Sequence, residues 1–222
     1  MHDDATTEVK VWDHAVRLFH WVLVVGVATL WFSGEFGHLD LHMVLGVWVL
    51  ALLVFRLIWG FAGSPTARFS HFVRGPGAIL AYVRAARSGA VRSVGHNPLG
   101  ALSVLGLLGL LTAQAATGLF TTDDIFTNGP LTHLVSSKVA ATLSSLHRLG
   151  GKLVLFLVFV HLSAVAFYTL VKKDDMIRAM ITGTKRVPEG VDGIRFASPL
   201  LAVAVAVLAC AVVWGGLLLL KG

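Results

Sequence analysis

The sequence has one cysteine and few charged residues, and both scarcities restrict its function. Only 14% of its 222 residues are charged, and the single cysteine, Cys210, lies within an apolar stretch. A lone cysteine excludes a disulfide framework and a cysteine-ligated zinc or iron–sulfur site. The formal net charge of +6 comes from basic residues in the connections between apolar stretches, so no nucleic-acid partner is expected.

Hydrophobic residues make up 56% of the sequence. Several runs approach or exceed the roughly 18 residues that a membrane-spanning helix needs. The predicted spans are 16–34, 41–61, 99–120, 147–171 and 197–220. The N-terminus is polar and acidic, unlike the basic start of a cleavable signal, so the first span is expected to remain as an anchor. The sequence therefore predicts an all-α integral membrane protein.

The connections between the spans differ in their basic residues, which predicts the orientation. Five arginines and no acid lie in 62–98, and six basic residues lie in 172–196. The opposite connections hold one lysine, Lys138. Because positive residues favour the cytoplasmic side, the N-terminus and both basic loops are predicted to be cytoplasmic.

Four histidines lie in or at the ends of these spans and form two layers. His20 and His161 belong to the inner half, and His42 and His147 lie near the outer surface. His147 and His161 are fourteen residues apart, which places them on one helix face and about 21 Å apart along the axis. Ionisable groups in lipid are expensive and indicate function.

Paired imidazoles indicate a particular cofactor, because two of them saturate a haem iron and favour electron transfer over oxygen binding. The chain has no Cys-x-x-Cys-His segment, so two non-covalent b haems are predicted. An alternative stays open, in which His147 marks a helix end and His161 bonds a neighbouring helix.

Small and basic residues near the histidines support the same interpretation. Gly46 follows His42 at i+4, and Gly151 follows His147 at i+4, so each leaves room for a flat macrocycle or lets helices approach. Haem propionates need cations. The candidate cations are Arg17, Arg56, Arg148 and Lys152. The same four cations are also explained by positions near the membrane surface, where basic residues are common without any bound propionate.

Five segments, taken in order over about 9–188, resemble the bacterial cytochrome b561 family, which includes the b-type cytochrome subunits of nickel–iron hydrogenases. They are VWDHAVRLFHW, LHMVLGVWVLALLVFRLIWGFAGSPTARFSHFVRGP, GHNPLGALSVLGLLGLLTAQAATGLF, LHRLGGKLVLFLVFVHLSAV and IRAMITGTKR. The resemblance implies a four-helix transmembrane bundle in the bacterial inner membrane, holding two b haems. Carried over by position, the iron ligands are His20, His42, His147 and His161.

The resemblance also implies the function and the partners. The leading interpretation is electron transfer across the membrane between the quinone pool and a periplasmic cytochrome c or another redox protein. Whether this includes quinol oxidoreductase activity stays open. The first alternative is a membrane-anchor cytochrome b subunit of a hydrogenase-like complex. The second, a histidine-dependent transporter, lacks the carboxylates within spans that such proteins use.

The last span lies outside the four-helix pattern of the family. We divide the chain into a di-haem domain at 1–188 and a segment at 189–222, which contains a linker and the fifth helix. The fifth span has no ionisable residue, which predicts a helix at the periphery of the bundle.

Overall fold

The computed structural model describes residues 6–87, 95–123, 125–188 and 194–220, and five of its helices are long and apolar enough to cross a membrane. In chain order the elements are β1 (Thr6–Lys10), α1 (His14–Glu35), α2 (Leu39–Ala62), a 3-10 turn (Pro65–Ala67), α3 (Phe69–Phe72), α4 (Pro76–Arg87), α5 (Pro98–Gly118), a second 3-10 turn (Thr132–Leu134), α6 (Ser137–Leu170), α7 (Met176–Thr182), β2 (Thr184–Pro188) and α8 (Pro199–Leu220). The spanning helices are α1, α2, α5, α6 and α8. The prediction of a helical membrane protein with five spans is confirmed.

Side-chain caps fix the points at which the loops enter two of these helices. The Asp13 carboxylate accepts the backbone N–H of Val16 at 2.7 Å before α1. The Asn97 side chain accepts the N–H of Gly100 at 2.7 Å before α5. Each cap supplies an acceptor for an N–H group that has no partner within its helix.

Helix α6 begins at Ser137, ten residues before the predicted start of its span at 147. The extra turns contain Thr142, Ser144 and Ser145, whose hydroxyls donate to backbone carbonyls four residues earlier. Polar residues that bond in this way remain compatible with a helix. The predicted boundary was wrong because it followed hydropathy alone, and His147 lies about three turns inside the helix rather than at its end.

The spanning helices pack as neighbours in a series. Close packing joins α1 to α2, α2 to α5, and α5 to α6. Helix α8 packs on α2 and, less extensively, on α1, and it buries Val205, Ala209 and Val213. The Trp214 ring lies 4.4 Å from the Trp48 ring on α2, measured between ring centres. The fifth helix is therefore attached to the bundle mainly through α2.

A short antiparallel pair of strands, β1 with β2, departs from the purely helical prediction. Thr6 pairs with Pro188, and Lys10 pairs with Thr184. The two strands are remote in sequence, so no local hairpin pattern predicts them. The pair joins the segment before α1 to the segment after α6. We call this end of the bundle the sheet side, and the end that carries residues 119–136 the loop side.

Several residues on the sheet side are fully or almost fully buried. Val11 and Ala67 have no exposed surface, and Trp59 is 1% exposed. The Trp59 indole N–H donates to the Asp13 carboxylate at 3.3 Å, so the polar end of this ring is satisfied. Strand β1, helix α2 and the turn after α2 meet in this core.

His96, which precedes α5, is buried in the sheet-side core and gives a prediction about pH. Its ring lies 4.6 Å from the Trp12 ring and 4.6 Å from the Phe72 ring, between ring centres. Burial, with the nearby charge of Arg56, lowers the pKa of His96 from 6.5 to about 4. The unfolded chain therefore binds this proton more readily, and the free energy of unfolding should fall by up to about 3 kcal/mol as pH drops from 6.5 to 4.

The measurement is the thermal midpoint of the detergent-solubilised protein at pH 7, 5.5 and 4.5. His96→Gln keeps a hydrogen-bond donor but does not titrate, so it should flatten the pH dependence. His71→Gln, at an exposed position, is the matched control and should leave the curve unchanged. Parallel curves for the unsubstituted protein and His96→Gln would contradict the prediction.

Candidate functional site

The structure brings the two loop-side histidines together across the bundle. His42 lies on α2 and His147 on α6, and their ring centres are 6.1 Å apart. The two ring planes make an angle of 84°. The prediction that these histidines occupy one layer agrees with this placement, although their role as ligands stays a prediction.

A cavity of about 740 Å³ lies beside this pair, between α1, α2, α5 and α6. Both histidines line it, and so do the predicted glycines Gly46 and Gly151. A Cβ atom added at Gly46 would meet no heavy atom within 4 Å. This glycine therefore leaves open space next to His42 rather than a close contact between helices.

Backbone carbonyls fix the orientation of both loop-side rings. The Nδ1 atom of His42 donates to the Leu30 carbonyl at 2.9 Å, and the Nδ1 atom of His147 donates to the Gln114 carbonyl at 3.0 Å. A carbonyl only accepts, so each Nδ1 carries the proton and each Nε2 keeps a free lone pair. Metal-ligating histidines are held in this way by their second nitrogen.

Two glycines that sequence reasoning missed pack directly against these rings. A Cβ atom at Gly34 would lie 3.1 Å from Nδ1 of His42, and one at Gly118 would lie 2.9 Å from Cε1 of His147. Gln114 adds a hydrogen bond from its side chain to the backbone carbonyl of His147, at 2.9 Å. Gly34 and Gly118 lie in α1 and α5, so no spacing within α2 or α6 could have revealed them.

The sheet-side histidines, His20 on α1 and His161 on α6, form the second layer. His20 lies near the start of α1 and His161 in the second half of α6, so both lie toward the sheet side. Nδ1 of His161 is 3.4 Å from the Ser103 hydroxyl. Nδ1 of His20 is buried and has no hydrogen-bond partner within the described chain. A buried polar atom of this kind requires an explanation, and a bound group is one.

The four predicted cations have different surroundings. Arg148 and Lys152 line the loop-side cavity. Arg17 donates through Nη1 to the Thr182 carbonyl. Arg56 is 3% exposed, donates to the Ala67 carbonyl at 3.2 Å, and lies 5.2 Å from the centre of the Phe69 ring. Propionate contacts at Arg17 and Arg56 stay predictions, and both side chains already stabilise the protein itself.

The sequence model of the family described as prokaryotic cytochrome b561 matches residues 11–183, which is most of the chain. The chain belongs to this family. A comparison with curated proteins gives no match. As a member of this family, it is a multi-pass membrane protein that binds b-type haem and functions in electron transport. The match ends at residue 183, and α8 begins at Pro199.

The residues around the loop-side cavity fit a b haem. A metal–imidazole bond is about 2 Å long, so two imidazoles on opposite sides of one iron have ring centres roughly 6 Å apart, as His42 and His147 have. In the described part of the chain no three His, Cys, Asp or Glu side chains form a group that could hold a bare metal ion. Paired histidines, open space at Gly46 and two bordering cations match the needs of this cofactor.

Proposed function

We propose that this cytochrome b561 carries electrons across the membrane through two b haems. His42 and His147 hold the loop-side haem, and His20 and His161 hold the sheet-side haem. The observation that carries the proposal is the loop-side pair itself. Its two rings lie 6.1 Å apart beside a large cavity, and carbonyls occupy both Nδ1 atoms. Such an arrangement presents Nε2 of each ring as a ligand.

The haem supplies reversible one-electron chemistry, and the chain controls its position and surroundings. Two histidines at each layer would hold the haem iron and keep other ligands from it. Gly46 leaves open space beside His42, and Gly151 lines the same cavity. Arg148 and Lys152 offset the negative charge of propionates at the loop side. Most of the cavity wall is apolar, which lowers the local dielectric around the haem.

The proposed partners follow from orientation. The basic connections after α2 and α6 support a cytoplasmic sheet side, and the loop side then faces the periplasm. Electrons pass between the quinone pool and a periplasmic cytochrome c or similar redox protein that meets the loop side. The mildly acidic loop-side residues Glu35, Asp40 and Asp123 suit a partner with a basic surface around its redox centre.

The test is the haem content of the purified protein. We expect about two haems per chain, with a b-type spectrum, because there are two histidine pairs and no attachment cysteines. A pyridine haemochrome assay gives the type and the concentration of haem. Amino-acid analysis gives the protein concentration, and the two together give the number of haems per chain. His133→Ala, at a loop histidine that donates to the Leu220 carbonyl, is the control and should keep both haems. A c-type spectrum, or one haem per chain after haem-supplemented expression, would refute the proposal.

A further inference from the structure

The sheet-side histidines lie on two helices that do not pack closely on each other. Within the described residues, α1 packs on α2 and α8, whereas α6 packs on α5 and α7. The spacing between His20 and His161 is therefore not set by an extensive contact between these two helices. A bis-histidine site tolerates little variation in this spacing, since both metal–nitrogen bonds are about 2 Å long.

A group of elements on the sheet side connects α1 to α6 instead. We call the strands β1 and β2 together with α7 the clamp. Helix α7 follows α6 after five residues, and β2 follows α7. Strand β1 pairs with β2 and continues toward α1. Glu8 in β1 accepts from Arg178 in α7 at 3.0 Å and from the Thr184 hydroxyl at 3.0 Å. The start of α1 is thus joined to the end of α6.

The carbonyls at the end of α7 hold the turn of α1 that carries His20. The Trp21 indole N–H donates to the Met180 carbonyl at 3.3 Å, and Arg17 donates to the Thr182 carbonyl. The Trp21 ring also lies edge-on to the His20 ring, with 4.9 Å between ring centres. Trp21 therefore contacts both the predicted ligand and the clamp.

Gly183 is the residue on which these contacts converge. Its carbonyl accepts the backbone N–H groups of Val11 at 2.8 Å and Trp12 at 3.1 Å. Its φ angle is +85°, and a Cβ atom there would lie 2.8 Å from the Trp12 carbonyl oxygen. Both the backbone conformation and the close approach require glycine. Any other residue would push β1 and α1 away from α7.

We propose that the clamp sets the position of His20 relative to His161, and that Trp21 and Gly183 are positioning residues for the sheet-side haem. The proposal rests on the two-haem function above. The clamp acts in place of an extensive α1–α6 helix contact. It acts mainly on the sheet-side haem, because it contacts α1 beside His20, whereas His42 meets α1 near the other end of that helix, at Leu30 and Gly34.

The first experiment compares Trp21→Phe and Gly183→Ala with Trp48→Phe. Trp21→Phe removes one hydrogen-bond donor and keeps a ring beside His20. Trp48→Phe makes the same change on the α8 face of α2, away from the clamp. The readouts are the low-spin ferric electron paramagnetic resonance signals, a redox titration, and the rate of haem loss to apomyoglobin. The sheet-side signal is identified by its absence in His161→Ala.

In both clamp variants we expect the sheet-side signal and midpoint to shift while the loop-side ones stay fixed. Haem loss from the sheet side should accelerate roughly threefold to tenfold in Trp21→Phe, the factor expected for one net hydrogen bond. Trp48→Phe should match the unsubstituted protein. Unchanged sheet-side properties in Trp21→Phe and Gly183→Ala, or equal changes at both haems, would overturn the proposal.

A second measurement does not depend on haem. Spin labels at Leu18→Cys on α1 and Leu162→Cys on α6, both exposed positions, in a Cys210→Ser background, report the distance between these helices. Gly183→Ala should lengthen or broaden the distance distribution, and an unchanged distribution would count against the clamp. If the unsubstituted protein holds one haem, the proposed function fails at that step, and the spin-label distances still decide whether the clamp sets the helix spacing.

Discussion

His42→Ala and His147→Ala should each abolish the same haem, on the loop side, whereas His20→Ala and His161→Ala should each abolish the other. The reason is depth in the bundle. The ring centres of His42 and His147 are 6.1 Å apart on the loop side, whereas His20 and His161 lie in the sheet-side halves of α1 and α6. An iron that loses one of two axial ligands loses its low-spin spectrum, so each variant should lose about half of the haem signal.

A redox titration of the four variants in detergent tests the pairing, with the reduced α-band as the readout. Expression level and thermal stability are the controls, because each substitution leaves a partner imidazole without its iron. His38→Ala, in the connection between α1 and α2, should retain both components. Loss of one component in both His20→Ala and His147→Ala would show that the ligands pair across layers.

The helical membrane fold could be predicted from the sequence, because the hydropathy of a segment depends only on the residues within it. Each spanning helix contains an apolar run of sufficient length, and all five were found. The predicted helix boundaries were wrong where polar residues continue a helix beyond the apolar run. Residues 137–146 belong to α6, and their hydroxyls form hydrogen bonds within the helix. A hydropathy window does not register such hydrogen bonds.

The layer arrangement of the histidines was also accessible, because depth in a span follows from residue number. The contacts that orient the histidine rings could not be predicted from the sequence. Leu30 and Gln114 act through backbone carbonyls, which every residue possesses, so no residue type marks these positions. The strand pair and Gly183 depend on segments more than 170 residues apart, and a sequence offers no local pattern for such a contact.

A valine at Gly46 should remove the loop-side haem without destabilising the protein. An added Cβ at Gly46 meets nothing within 4 Å, so the protein's own packing does not require glycine there. The open space belongs to the cavity that His42 and His147 line, and branched carbons in it would occupy the region proposed for the macrocycle. We expect loop-side haem occupancy to fall roughly tenfold, for a steric penalty of about 1.4 kcal/mol or more.

Gly109→Val in α5 provides the matched control. A Cβ atom at Gly109 also meets nothing within 4 Å, and Gly109 does not line the cavity. Valine has a higher helix propensity than glycine, so both variants should unfold at or slightly above the temperature of the unsubstituted protein. Haem content by pyridine haemochrome, with thermal unfolding of the same samples, separates the two effects. If Gly46→Val and Gly109→Val keep equal haem, the space beside Gly46 does not hold the cofactor, and the loop-side haem would have to lie on another face of His42.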